Sequence, residues 1–245
     1  MVNAPYVSFV IPVRGREEHR KGLFVNILEV YGDIDYEIIL ADQADTRLFK
    51  RGQLCNLGFK KSRGEVIVFQ DIDVRHLRPI DFTASLKEFK KPFLGFSKIT
   101  QLKELEPGEY EEIETKNRRW GYGACEIFTR DQFKKSYGFS NLIVGWGAED
   151  DIMNHRVGGF PRLGQNLGHV QHKADSGQRS RVSENLTLFR SEKTRDPEGD
   201  SYLHTEATEE YHTIIDQEGK IHLYGFADIT PGDGFKYREL LNDNL

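Results

Sequence analysis

Two cysteines in 245 residues exclude a scaffold built on disulfides. Cys55 and Cys125 each lie inside a patterned segment and read as reduced core residues rather than a bridge. Nowhere do 18 apolar residues follow one another, so no segment reads as a membrane span. Val7 to Pro12 is too short, and too uncharged in front, for a secretion signal. The expectation is a soluble, cytoplasmic chain. A basic excess is also missing: 34 Lys and Arg against 39 Asp and Glu leave a formal net charge of -5. That balance argues against nucleic acid or an anionic membrane surface as the main partner. Internal repeats and low-complexity tracts are absent. There is no glycine-rich phosphate loop behind the first strand, where Arg14-Gly15-Arg16 stands instead, and this excludes the usual nucleotidyltransferase arrangement.

What is present describes one domain of ordinary composition, 38% hydrophobic and 30% charged, long enough to bury a core. Val7 to Val13 is an unbroken apolar run that empties into the basic loop Arg14-Gly15-Arg16 and reads as a buried strand. Leu23, Ile27, Leu28 and Tyr31 recur at helical spacing from Glu17 until Gly32 stops them. Glu37 to Ala41 is a second buried strand, Leu48 to Ser62 a second helix, and Val66 to Phe69 a third strand. Strand, helix, strand, helix, strand with short connections predicts an α/β fold around a mostly parallel sheet. Regularity then drops, and residues 100 to 119 are expected to be loop. Ala124 to Phe128 reads as a strand, and Thr129-Arg130-Asp131-Gln132 as a capping box opening a short helix with Phe133. A helix is expected from Glu149 to about Val157, a long loop or lid from 173 to 200, and a closing hairpin from His212 to Ile215 and Ile221 to Ile229. The sequon Asn185-Leu186-Thr187 falls inside that long loop and matters only in a secreted protein.

Three stretches can carry chemistry. Asp71-Ile72-Asp73 directly follows a buried strand, where two carboxylates can face a divalent cation held by a diphosphate; on an ordinary surface the same tripeptide means nothing. His169 and His172 stand three apart and can share a metal, or can each be an unremarkable histidine. Gly145-Trp146-Gly147-Ala148-Glu149-Asp150-Asp151 puts an indole between two glycines and three carboxylates behind it. An indole can cover a sugar ring and a carboxylate can take a proton from a hydroxyl, while the plainer alternative is an acidic first turn complementing a helix dipole. Neighbours on a helix point about 100° apart, so the three carboxylates cannot all face one point.

In this order, the motifs resemble the beta-1,4-galactosyltransferase family, glycosyltransferase family 7. The resemblance is carried by Phe9-Val10-Ile11-Pro12-Val13-Arg14-Gly15-Arg16-Glu17-Glu18-His19, Gln43-Ala44-Asp45-Thr46, Phe49-Lys50-Arg51, Leu54 to Phe59, Phe69 to Asp73, Gly145 to Asp151 and His172. It implies a GT-A fold over residues 1–245, with residues 1–100 as the half that binds the nucleotide sugar and 101–245 as the half that binds the acceptor. It further implies an inverting, metal-dependent transfer of galactose or N-acetylgalactosamine from a UDP-sugar donor to a saccharide acceptor. By resemblance, Pro12, Arg14, Arg16, Phe49, Arg51, Asp71, Ile72, Asp73 and Trp146 would meet the donor. Asp73, His169 and His172 would bind Mn2+ or a similar divalent cation; His169 stands where the family's founding members place a methionine. Asp150 would be the catalytic base, with Trp146, Glu149 and Asp151 on the acceptor.

By the same resemblance, the position that restricts the donor in animal members corresponds to Gly121, and its small size implies UDP-GalNAc as a donor as well as, or instead of, UDP-galactose. Two alternatives remain open in the sequence. One is a module similar to the GalNAc-transferring half of chondroitin polymerase, and the other is a non-catalytic sugar- or UDP-binding module.

Overall fold

The computed structural model describes residues 6–43, 48–116, 122–171, 182–190, 197–205 and 222–225. The chain alternates at first: β1 (Val7–Val13), α1 (Glu17–Tyr31), β2 (Tyr36–Asp42), α2 (Arg51–Lys61), β3 (Val66–Gln70) and the short β4 (Val74–His76). After α3 (Phe82–Phe89) and β5 (Phe93–Leu94) come β6 (Lys98–Glu106), β7 (Glu109–Lys116), β8 (Cys125–Thr129), α4 (Arg130–Lys135) and α5 (Glu149–Arg156). The last elements are β9 (Asn166–Val170), α6 (Val182–Arg190), a 3-10 turn at Tyr202–His204, and β10 (His222–Gly225).

The main sheet runs β10-β2-β1-β3-β8-β5. Its first four strands are parallel, and β8 and β5 add antiparallel neighbours. β1, β2 and β3 are buried along their whole length, as continuous apolar runs in a two-faced sheet require. Pro12 sits within β1 at no loss to the ladder on the β3 side, because pairing with β3 ends at Val10 and only β2 runs on beside it to Val13. On one side of this sheet aromatic rings interlock: Phe133 of α4 lies 4.4 Å from Phe59 and 4.7 Å from Phe69, ring centre to ring centre. Both cysteines are free and buried.

A second sheet, β4-β9-β6-β7, stands beside the first. Residues 98 to 116 form its β6–β7 hairpin, not the loop that their polarity predicts. The hairpin is polar because β7 pairs only with β6 among the described residues, and β6 beyond Leu102 and β7 from Glu109 to Ile113 are largely solvent-facing, so the alternation that marks a half-buried strand is lost. The segment 173–200 likewise contains a helix, α6, and is not loop throughout. Of the expected closing hairpin, residues 222–225 form a strand, β10, which pairs in parallel with β2 at the edge of the main sheet; residues 212–215, 221 and 226–229 lie outside the described residues. Helix α2 begins at Arg51, three residues later than its apolar spacing predicts. Among the described residues no helix is long and apolar enough to cross a membrane.

Candidate active site

The parallel strands β1, β2 and β3 all end on one side of the main sheet, and the residues after them converge there. Behind β1, Gly15 and Arg16 take left-handed backbone angles (φ 67° and 61°), turning the chain into α1. The Arg14 guanidinium stacks over the Phe49 ring at 5.9 Å. Behind β2, Gln43 closes the loop by accepting from the Lys50 backbone N–H at 2.8 Å and donating to the Leu48 carbonyl at 3.1 Å. Ala44, Asp45 and Thr46 lie outside the described residues.

Behind β3 comes a tight turn, closed by the Val74 N–H donating to the Asp71 carbonyl at 3.1 Å. Asp71 faces Arg51 while Asp73 faces Arg16; residues two apart share a face on a continuous strand, so it is the turn after Gln70 that parts the two carboxylates. The Asp73 Oδ2 receives the Arg16 Nη1 at 2.6 Å and lies 3.7 Å from the His169 Nε2. His169 arrives there because β4 and β9 pair antiparallel with Val74 opposite His169. A hard carboxylate oxygen and an imidazole nitrogen, drawn from separate parts of the chain and set side by side, form a donor pair suited to manganese or a similar ion. His172 lies outside the described residues, and among those described no group of three such donors forms. Ile72 is buried, with only its backbone at the turn.

Arg51, the first residue of α2, is the centre of the arrangement. Its side chain is only 6% exposed, and every nitrogen is engaged. The Nε donates to Asp71 at 2.8 Å, the Nη1 to Asp150 at 2.9 Å, and the Nη2 to the Gly123 carbonyl. Glu126, fully buried on β8, lies 3.6 Å from the Nη1 and has no hydrogen bond to either carboxylate oxygen. One guanidinium therefore faces three carboxylates. Burial, with Asp150 next to it, pushes the Glu126 carboxyl well above its ordinary range. Nothing in the sequence pattern around Glu126 singles it out, since Cys125-Glu126-Ile127-Phe128 reads as strand; only the fold shows it behind Arg51.

Helix α5 presents its three acidic residues to three environments. Ala148 precedes them with φ 75°, a left-handed angle that a residue with a Cβ adopts only under constraint. Glu149 turns inward and is 4% exposed, its Oε2 without a hydrogen bond. Burial first, then the neighbouring Asp150, raises its pKa to about 8. Asp150 turns to Arg51 with its side chain 26% exposed. Its pKa is raised to about 6 by burial, with Asp71 and Asp151 adding to the rise and Arg51 opposing it. Asp151 is exposed. Gly123 packs directly on Asp150: a Cβ there would stand 2.1 Å from the Asp150 Oδ2. Only glycine leaves that carboxylate its place.

Trp146 is 56% exposed between Gly145 (φ 80°) and Gly147 (φ 106°). The Gly145 N–H donates to the Phe49 carbonyl at 2.8 Å, tying this turn to the loop behind β2. Asn185 of α6 is 2% exposed and donates to the Val144 and Trp146 carbonyls at 3.2 and 3.3 Å. The asparagine of the sequon thus works as an internal brace, which its place in a polar stretch does not reveal.

Comparison with known proteins places these observations. Residues 109–160 match a family described as the N-terminal domain of galactosyltransferase. Human beta-1,4-galactosyltransferase 6 is 29% identical over 158 residues, 62% of this chain and 38% of that protein, and human beta-1,4-galactosyltransferase 4 is 28% identical over 157 residues, 62% of this chain and 42% of that protein. The match spans about two fifths of the length of these relatives. Among solved structures, a Drosophila beta-1,4-galactosyltransferase 7 variant in complex with manganese, UDP-Gal and xylobiose superposes with TM-score 0.63 at 18% identity, covering 96% of this chain and 99% of that one. A mannosyltransferase from Pyrobaculum calidifontis with GDP-Man and Mn2+ superposes with TM-score 0.50 at 15% identity, covering 83% and 71%. The fold is GT-A, and in sequence the chain is similar to the beta-1,4-galactosyltransferases.

Proposed function

We propose that the chain is an inverting, metal-dependent glycosyltransferase that moves galactose or N-acetylgalactosamine from a UDP-sugar to a saccharide hydroxyl, forming a beta linkage. The observation that carries this reading is the joint placement of Asp150 and Asp71 on Arg51, beside the Asp73–His169 pair. In that arrangement a proton acceptor and a set of diphosphate-neutralising groups lie at one end of the parallel sheet. Asp150 takes the proton of the acceptor hydroxyl while that oxygen bonds to the anomeric carbon and the bond from that carbon to UDP breaks. A pKa near 6 leaves Asp150 ionised, yet basic enough to accept the proton, at neutral pH.

Asp73, His169 and His172 would hold a divalent ion, which would supply charge neutralisation for the departing diphosphate. Arg14, Arg16 and Phe49, with Pro12 at the end of β1 and Asp71 and Ile72 at the turn, form the donor side. Arg51 orients Asp71 and Asp150 together instead of reaching outward. Trp146, exposed between its glycines, covers the sugars, and Glu149 and Asp151 belong to the acceptor side through α5. The manganese, UDP-Gal and xylobiose bound by the Drosophila relative support a divalent ion, a UDP-sugar and a saccharide acceptor here. Gly121, a small residue at the position that restricts the donor, supports UDP-GalNAc as a second donor.

Measuring UDP release from UDP-galactose, UDP-GalNAc and UDP-glucose with and without Mn2+ tests the reading. Mn2+-dependent release with the first two is expected. Tight binding of UDP and Mn2+ with no turnover on any saccharide acceptor would mark a non-catalytic binding module instead, and a strong preference for UDP-galactose would remove the N-acetylgalactosamine assignment.

A further inference from the structure

Among the described residues Arg75 is the largest fully buried side chain, with 0% exposure, and it occupies the middle of β4, directly behind the Asp71–Val74 turn. Among the described residues its one carboxylate partner is Glu104, at 3.5 Å. Burying a guanidinium with so distant a counter-charge is unfavourable compared with an apolar side chain of similar size, so packing alone does not account for it. Its hydrogen bonds show what it does instead. The Nη1 donates to the carbonyls of Ile72 and Val74, both at 2.9 Å, and the Nη2 to the His19 carbonyl of α1 at 3.0 Å. The Nε donates to the Tyr110 hydroxyl at 2.8 Å, and that hydroxyl donates to the Gly22 carbonyl at 3.0 Å, with the guanidinium 5.6 Å from the centre of the tyrosine ring.

The surroundings are shaped for this contact. A Cβ on Gly22 would stand 1.7 Å from the Glu104 Oε1 and 3.1 Å from the Arg75 Nη2, and a Cβ on Gly168 would stand 3.3 Å from the Arg75 Cβ. The turn itself has little freedom left. The Asp71 carbonyl is taken by the Val74 N–H, the Asp73 carbonyl by the Val170 N–H at 2.8 Å, and the Ile72 carbonyl by Arg75. With its carbonyls engaged inside the fold, the turn presents its carboxylates, Asp71 to Arg51 and Asp73 to Arg16 and His169.

We infer that Arg75, anchored by Tyr110 and Glu104 of the β6–β7 hairpin, is a positioning residue for divalent-cation binding: it fixes the turn so that the Asp73 carboxylate stays beside the His169 ring. This rests on the reading above that Asp73 and His169 hold the ion. It gives the hairpin a function, since Tyr110 and Glu104 tie α1 and the turn together from outside the site. Groups that orient metal ligands in this way typically change metal affinity about 10- to 100-fold when removed.

The test is titration of the full chain with Mn2+ alone, followed by loss of the free-ion electron paramagnetic resonance signal, for the unsubstituted protein, Tyr110→Phe and Arg75→Met. Tyr110→Phe removes the anchoring hydroxyl and leaves the ring over the guanidinium. It is expected to weaken Mn2+ binding about tenfold while the thermal midpoint without Mn2+ moves by no more than about 2 °C. Its kcat at saturating Mn2+ should stay within about twofold of the unsubstituted value, a split that general loosening of the fold does not produce. Arg75→Met should weaken Mn2+ binding further; if it does not fold, Tyr110→Phe decides alone. Unchanged Mn2+ affinity in Tyr110→Phe overturns the inference, as does a loss that only tracks the thermal midpoint, or failure of the unsubstituted protein to bind Mn2+. If the unsubstituted protein binds Mn2+ and the variants lose it, but no UDP-sugar is turned over, the transferase reading fails and the positioning role stands.

Discussion

Replacing Asp150 by asparagine separates proton acceptance from everything else that this residue does. The asparagine carbonyl can still receive the Arg51 Nη1, so the 2.9 Å contact and the seat against Gly123 persist while the basic oxygen is lost. General-base catalysis is worth roughly 10²- to 10⁴-fold in rate, or about 3–5 kcal/mol at 1.36 kcal/mol per decade. The unsubstituted enzyme should show an acid limb in kcat/KM with a midpoint near the Asp150 pKa of about 6. The sign follows from the role: the base works only when ionised, so activity falls as pH drops through that midpoint, to roughly a tenth one unit below it. Rates in Asp150→Asn should be lower by the factor above and flat between pH 5 and 7, with UDP binding unchanged. The assay is UDP release at subsaturating acceptor across that pH range, paired with calorimetry of UDP in the presence of Mn2+. A variant that keeps more than about a tenth of the rate, where the loss expected of a base is at least a hundredfold, would refute the assignment, and so would an acid limb that survives the substitution.

Two further outcomes follow from the same geometry. Gly123→Ala would drive a methyl to 2.1 Å from the Asp150 Oδ2; displacing that carboxylate by about 1 Å should lower kcat about 10²-fold with little change in Mn2+ binding, and a rate within threefold of the original would show that Asp150 needs no fixed seat. Glu149, whose pKa rises from 4.5 to about 8 on folding, binds its proton more tightly in the native state than in the unfolded chain. The stability that this gives is complete below about pH 4.5 and is lost as pH rises through 8, so Glu149→Gln should match the unsubstituted protein in urea at pH 5 and exceed it at pH 8.5 by something on the order of a few kcal/mol; parallel curves at both pH values would contradict the burial argument.

The main sheet was legible because fully buried parallel strands leave an unbroken apolar run, as in Val7–Val13, and because glycines and capping residues punctuate the helices between them. The capping box at Thr129 and Gln132 forms with both of its hydrogen bonds. The β6–β7 hairpin was not legible for the opposite reason: strands that bury little show no alternation, and charged residues such as Lys103 and Glu111 pair across it in solvent. Within the site, Asp71, Asp73, His169 and Asp150 stood out through residue type and order. Glu126 and Arg75 did not, because each lies in a short strand with no periodicity or motif to mark it. Their meaning depends on which distant group the fold brings opposite.

The same dependence on distant groups ties the proposed donor and acceptor sides together. Arg51 reaches Asp71, 20 residues away, with one nitrogen and Asp150, 99 residues away, with another. Next to it in sequence, the Phe49 carbonyl accepts from Gly145, so the loop that stacks against Arg14 also holds the turn carrying Trp146. On its far side the same turn is held by Asn185 through two carbonyls. The residues around Phe49 are therefore linked to the Trp146 turn by a backbone hydrogen bond and to Asp150 through Arg51 at the start of α2. In this architecture the glycines on either side of Trp146 supply the left-handed backbone angles of its turn, while Arg51 holds Asp150, the base of the proposed reaction, at the start of α5.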